Sequence, residues 1–221
     1  MLEWFKNVDP QEIWQASQDT LTMLGMSALF TVLLGLPLGI LLFMTSRGQI
    51  LQNRAVYLTL SIIVNVLRSI PFVILMILVM PFTKVLVGTT IEVKGSIPPL
   101  VIAAAPFFAR LVETTLREVD RGVVEAAKAM GASNWQIIRK VLLPESLPGL
   151  VAGITITTVT LVSYTAMSGI IGGGGLGDLA IRYGYQRFMP DVMAVTVLIL
   201  ILLVILLQIL GDRLVLRFSR K

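Results

Sequence analysis

The chain contains neither histidine nor cysteine. That removes the commonest general base and metal ligand, together with any thiol or disulfide chemistry. The chemistry left is electrostatic and mechanical, and it is densest in residues 125–144. They read Glu-Ala-Ala-Lys-Ala-Met-Gly-Ala-Ser-Asn-Trp-Gln-Ile-Ile-Arg-Lys-Val-Leu-Leu-Pro. This charged, alanine-rich segment is broken by a glycine and set between apolar runs. It has no core of its own to build, so it needs a partner. Glu125 offers a carboxylate to basic or amide groups, and Ala126, Ala127 and Ala129 permit close backbone approach.

Local signals say how such a segment folds. Asp120 is placed to cap a helix over Arg121–Met130, and Gly131 sits where a left-handed residue ends one. Ser133-Asn134-Trp135-Gln136 fits a capping box opening a second helix to about Leu143. Pro144 and Pro148 then mark a turn into the next apolar run. The bland alternative is an ordinary loop whose alanines merely favour helix.

These elements are positioned by a membrane. Of the 221 residues 56% are hydrophobic and 14% charged, with a mean hydropathy of +0.87, far from a soluble domain. Five apolar stretches approach the roughly 20 residues a bilayer span needs. They are Thr20–Thr45, Ala55–Phe82, Ser96–Val112, Leu147–Ile171 and Val192–Leu210. The third carries Pro98, Pro99 and Pro106 and is expected to be kinked or packed inside the bundle. The first run is too long, and its flank too acidic, for a secretory signal peptide.

Cations set the orientation. Arg47, Arg54, Arg110, Arg117, Arg121, Lys128, Arg139, Lys140, Arg213, Arg217, Arg220 and Lys221 fall on one side. Lys6, Lys84, Lys94, Arg182 and Arg187 fall on the other. The richer side is expected to be cytoplasmic, which puts the Glu125 segment where ATP is. The N-terminus, with Glu3, Asp9, Glu12 and Asp19, is then outside and the C-terminus inside. The net charge of +5 is topology information, not a sign of nucleic acid.

Within the spans, Arg68-Ser69-Ile70-Pro71 lies near the middle of the second. An arginine there costs about 2.5–3.5 kcal/mol on insertion scales and should face a cavity or a partner. It either satisfies carbonyls freed by Pro71 or lines and gates a path, and the two are compatible. Gly35/Gly39 and Gly149/Gly153 are small-xxx-small patterns that allow close helix contact. In the fourth span Thr157, Thr160, Tyr164 and Ser168 recur at helical spacing, a candidate polar stripe for a translocation path. The bland reading is that such hydroxyls bond back to their own helix. Met167 beside them offers a flexible thioether suited to a gate. Gly169–Gly177 lacks a phosphate-loop pattern, and its glycines are expected to let the backbone turn or flex at the outer mouth.

Taken together these pieces resemble the permease subunit of the methionine ABC importer along nearly the whole length. The resemblance rests on Arg68–Phe72, Ala104–Phe107, Val123–Ala132, Arg139–Glu145, Pro148–Val151 and Gly174–Gly177. It implies an all-α membrane protein of the type I importer permease fold, five transmembrane helices with a coupling helix pair in an EAA loop at about 113–146. Residues 1–19 would be a periplasmic segment, 20–212 the transmembrane domain and 213–221 a basic cytoplasmic tail. It implies a homodimer in the bacterial inner membrane with two ATPase subunits and an external substrate-binding lipoprotein. ATP and Mg would be held by the ATPases, with no cofactor or catalytic residue in this chain. Glu125, Ala126, Ala127 and Gly131 would couple to the ATPase, whose closure drives alternating access. The rivals are the same class with another amino acid, a dipeptide or an osmolyte as cargo, and a stand-alone secondary transporter or channel. Against the latter, no span carries a central Asp or Glu, and five spans do not divide into equal repeats.

Overall fold

The computed structural model describes residues 7–219. Lys6, Glu3, Arg220 and Lys221 therefore lie outside the described residues. The described chain is helical throughout. Its first helix, α1 (Pro10–Thr45), starts ten residues before the apolar run does. Asp9 caps it by accepting from the Gln11 N–H at 2.8 Å, and Pro10 occupies the first turn, where a missing N–H costs nothing. Residues 10–19 are thus the opening turns of α1, continuous with the first apolar run. At about 1.5 Å per residue, α1 is far longer than a bilayer core is thick.

The second apolar stretch is not one continuous helix. It divides into α2 (Arg54–Ser69), α3 (Phe72–Leu78) and α4 (Met80–Val87), and the axes of α2 and α3 differ by 108°. Pro71 is the cause: its ring bars helical geometry at Ile70, which sits at φ −82°, ψ 126°, and it has no N–H to donate. A continuous apolar run hides this from any hydropathy argument. Four helices among the described residues are long and apolar enough to cross a membrane, and the bent α2–α3 pair makes a fifth if it counts as one broken span.

The centre of the bundle is α5 (Glu92–Arg117). Its most apolar stretch is 72% buried within the chain, and Pro98, Pro99 and Pro106 are carried inside it. It is packed inside as expected. The α1–α5 crossing runs along Ser27, Thr31, Gly35 and Gly39, all buried and four residues apart. A Cβ on Gly35 would lie 2.9 Å from the Ala105 carbonyl oxygen, and one on Gly39 2.5 Å from that of Ala109. Both helices touch backbone to backbone, as small-residue interfaces in membranes do. Phe108, Val112 and Leu116 of α5 continue into a core with Phe43, Met44, Ile137 and Leu142 at the end carrying the basic loops. Met23, Leu75, Met76, Leu100 and Leu161 form a second core toward the other end.

The coupling segment comprises α6 (Arg121–Ala129) and α7 (Asn134–Ile137). A π-helical turn over Ile138–Leu142 then runs straight into α8 (Leu143–Ser168). No turn separates α7 from the fourth span. Pro144 cannot donate to a carbonyl four residues back, and the ladder widens instead: the Leu143 N–H reaches the Ile138 carbonyl. A π-bulge is one way a helix absorbs such an interruption without breaking.

After a single 3₁₀ turn at Gly169–Ile171 the glycine-rich run folds back as α9 (Gly175–Leu179). Gly175, Leu176, Gly177 and Leu179 are buried, with Gly177 against the Ala166 backbone and the Leu176 N–H donating to Thr20 Oγ1 at 2.8 Å. Gly172, Gly174 and Gly175 stand at positive φ, the turning expected of them, and the run packs back onto the bundle from Gly175 on. A second π-helical turn, Ala180–Tyr185, leads to the peripheral α10 (Pro190–Phe218), which carries Arg213 and Arg217 as helix, not tail.

The α1–α5 crossing makes a direct prediction. Gly39→Ala should destabilise the folded chain by about 1–3 kcal/mol, the usual cost of overpacking. Gly25→Ala, with nothing within 4 Å of its new Cβ, should be neutral or slightly stabilising. Thermal unfolding in detergent, followed by loss of the monodisperse species, checks the pair; equal melting of both variants would contradict the crossing.

Candidate functional site

At the end carrying the basic loops, α6 begins with the Asp120 carboxylate accepting from the Gly122 N–H at 2.8 Å. It ends in a full Schellman motif: the Ala132 N–H bonds to the Ala127 carbonyl, and the Gly131 N–H to that of Lys128. Gly131 is left-handed at φ +79°, as the motif requires. The next residues form the expected capping box. Ser133 Oγ accepts from the Gln136 N–H at 3.3 Å, and Gln136 Oε1 accepts from the Ser133 N–H at 2.8 Å. The two short helices are thereby held as one knob by local hydrogen bonds.

The four coupling residues do not share a face. Ala127 is only 4% exposed and packs inward with Leu116, Ile137 and Leu142, so it anchors the knob instead of meeting a partner. Glu125, Ala126 and Gly131 are exposed. Glu125 borders a polar cleft of about 180 Å³ with Arg47, Gln49, Arg117, Arg121 and Lys128. It is the one carboxylate on that rim. Met130 is 81% exposed, and Trp135, 67% exposed, lines a separate apolar groove with Leu36, Ile40 and Met44 of α1.

The path candidates divide in the same way. Thr157 and Ser168 are buried, and their hydroxyls donate to the Gly153 and Thr165 carbonyls at 2.7 Å. Thr160 donates to the Ile156 carbonyl at 2.9 Å. The hydroxyls therefore bond back to their own helix. Tyr164, half-buried, stacks on Phe72 of α3 with ring centres 4.3 Å apart. Met167, 44% exposed, continues the same edge of α8 two turns beyond Thr160, away from the knob. In this conformation the stripe has an open edge at Thr160 and Met167 and a packed edge at Thr157 and Ser168. Arg68 lies in the last turn of α2, at the bend, with its guanidinium 5.9 Å from the centre of the Phe107 ring.

One cluster was missed in the sequence. Arg110 and Arg117, counted there among loop charges, lie on α5 and flank Glu113, which is 2% exposed. Arg110 also donates across to Ser61 Oγ and Asn65 Oδ1 of α2, at 2.9 and 2.8 Å, and Tyr57 Oη reaches Glu113 at 3.3 Å. The signal was present: Arg110, Glu113 and Arg117 are spaced three and four apart, and Tyr57, Ser61, Asn65 and Arg68 recur on one face of α2.

Gly131 gives a local prediction. Nothing lies within 4 Å of a Cβ there, so only the backbone conformation resists substitution. Gly131→Asn should be tolerated and Gly131→Val should open the α6 end, because β-branched residues are disfavoured at positive φ. Amide hydrogen exchange over residues 121–132 should accelerate in the Val variant alone.

Comparison with known proteins agrees with this architecture. Residues 32–221 match the model of the binding-protein-dependent transport system inner membrane component family. A chain from Pasteurella multocida, a probable D-methionine transport system permease protein MetI, is 48% identical over 213 residues, covering 95% of this chain and 98% of its own. The methionine import system permease protein MetP of Bacillus subtilis is 51% identical over 210 residues, covering 95% of both. The permease of the inward-facing MetNI methionine ABC transporter superposes with a TM-score of 0.93 at 47% identity, over 96% of this chain and 100% of its own. An amino acid ABC transporter at 18% identity shares the fold, with a TM-score of 0.77. This chain belongs to the binding-protein-dependent transport system inner membrane component family.

Proposed function

We propose that the chain is the permease subunit of an ATP-driven importer of methionine, working as a homodimer with two ATPase subunits and an external substrate-binding lipoprotein. It sits in the bacterial inner membrane with its N-terminus outside and its C-terminus in the cytoplasm. The single observation that carries the reading is the knob of α6 and α7. Each of its helices is capped at the N-terminus; it presents Glu125 and Ala126 outward, and is joined to α5 by three residues and to α8 by an unbroken five-residue π-helical turn. A push on this knob moves two spans directly. ATP and Mg belong to the ATPases, and this chain supplies the path and the lever. The fold alone is shared with permeases for other cargo, so methionine rests on the relatives at 48–51% identity.

The decisive experiment is uptake by liposomes holding the chain with its ATPases and binding protein. Methionine should enter only with hydrolysable ATP, and uptake that followed a proton gradient and ignored ATP would overturn the proposal. In the same vesicles Glu125→Ala should lower transport more than it lowers ATP hydrolysis, and Gly131→Val should lower it further.

The path reading is tested at two residues. Arg68→Ala should impair uptake more than Arg68→Lys, which keeps the charge but loses the planar fork. For the gate, Met167→Cys uses a chain otherwise free of cysteine. The two copies should crosslink readily without nucleotide and poorly when an ATP state is trapped. Equal crosslinking in both states would put the gate elsewhere.

A further inference from the structure

The Arg110–Glu113–Arg117 cluster lies outside both the knob and the α8 edge, and it holds a carboxylate only 2% exposed between two arginines. Arg110 lies seven residues, about 10 Å, inside the end of α5, at a depth where an ionised side chain needs a partner. Glu113 meets that need twice, with one carboxylate oxygen on Arg110 Nη1 and the other on Arg117 Nη2, both at 2.5 Å. The remaining donors of Arg110 go to α2, on Ser61 and Asn65. Tyr57 closes the group on Glu113.

The apolar contact of α2 is narrow: Val64, its one buried residue, packs with Leu42 and Ala109, and Leu60 and Leu67 are half-buried, while Leu58, Ile62, Ile63 and Val66 are exposed. The cross-helix bonds to Arg110 add a directional contact to that packing. Arg117, the lower member of the cluster, also lines the cleft that holds Glu125. Three residues below it the chain enters α6. The cluster therefore lies between the knob and the bent α2–α3 pair, and it touches both sides.

We propose that Glu113 is a positioning residue for transport: with Arg110 and Arg117 it forms a joint that makes α2 move with the lower half of α5 when the knob is displaced. The joint rests on the reading of α6 and α7 as the ATPase contact. Charge-assisted bonds are short and directional, so the joint transmits displacement where an apolar contact would slide. The carboxylate is satisfied wholly within the chain, so its task is to hold the two arginines and not to bind cargo.

The test separates motion from activity. Ile62, on α2, and Thr114, on α5, are exposed. Ile62→Cys or Thr114→Cys, spin-labelled singly, reports one distance between the two copies of the reconstituted complex. In the otherwise native chain both distances should shift together between the nucleotide-free and ATP-trapped states. With Asn65→Leu added, the Thr114 pair should still shift while the Ile62 pair lags or broadens. Transport per ATP hydrolysed should fall about five- to tenfold, the size of an ordinary coupling between sites, in Glu113→Gln and in Asn65→Leu. Asn65→Leu leaves the α5 ion triad intact and serves if Glu113→Gln does not fold. Independent movement of α2 and α5 in the native chain would overturn the joint, as would native transport stoichiometry in Asn65→Leu. If the native complex shows no ATP-driven uptake at all, the functional reading falls instead, and the paired distances still judge the joint.

Discussion

The backbone contact between α1 and α5 is the constraint on which the other packing depends. In a bilayer the hydrophobic effect does not drive helices together, so close approach through small residues and dispersion must do so. Gly35 and Gly39 let the Ala105 and Ala109 carbonyls come within side-chain distance of α1. That brings α5 to the centre of the chain, where Phe108, Val112 and Leu116 can reach both α1 and the knob. A bulkier residue at Gly39 would separate the two helices and also withdraw the surface on which Ala127 and Ile137 pack. The membrane half and the coupling half thus share one interface.

The connections at the knob suit a lever. Between α5 and α6 lie Glu118, Val119 and Asp120, closed by caps on both sides. Between α7 and α8 the helix continues through a π-helical turn. A hinge would place unsatisfied backbone groups and a few free torsions at these points. Here hydrogen bonds are kept and slack is removed. The Schellman motif at Gly131 is the one sharp corner, and its geometry is fixed by the left-handed residue and by the capping box that follows it.

What could be read in the sequence was what local chemistry decides. The Asp120 cap, the Gly131 corner, the Ser133–Gln136 box and the Gly35/Gly39 spacing all depend on residues within a turn or two of one another, and the structure has each. The bend at Pro71 was hidden because apolar side chains continue through it, so hydropathy reads one span where the backbone makes two helices. The early start of α1 was hidden for the opposite reason. Residues 10–19 are too polar to register as membrane, yet the Asp9 cap and the packing of Ala16 and Thr20 against α9 make them helix. The buried triad was hidden because a tally of charge by side says nothing of the three- and four-residue spacing that sets Arg110, Glu113 and Arg117 on one face of α5. The inward turn of Ala127 and the packed edge at Thr157 and Ser168 depend on distant partners, and no local pattern announces them.

The triad and the apolar faces around it also constrain how the chain meets its surroundings. On α2 one side carries Tyr57, Ser61, Asn65 and Arg68, all polar, while Leu58, Ile62, Ile63 and Val66 point away from it. Lipid accepts the second set and rejects the first. The polar side must then face α5 and whatever aqueous space adjoins it, and the apolar side faces hydrocarbon or a second copy. Because α2 ends at the Pro71 bend, α3 turns off beneath the same seam and lays Phe72 on Tyr164 of α8. The open edge of α8, at Thr160 and Met167, and the polar side of α2 are in this way linked through one aromatic contact. On the proposed lever and joint, that linkage gives a shift of the knob two routes to the open edge of α8: directly along α8, and through Glu113 to α2 and α3.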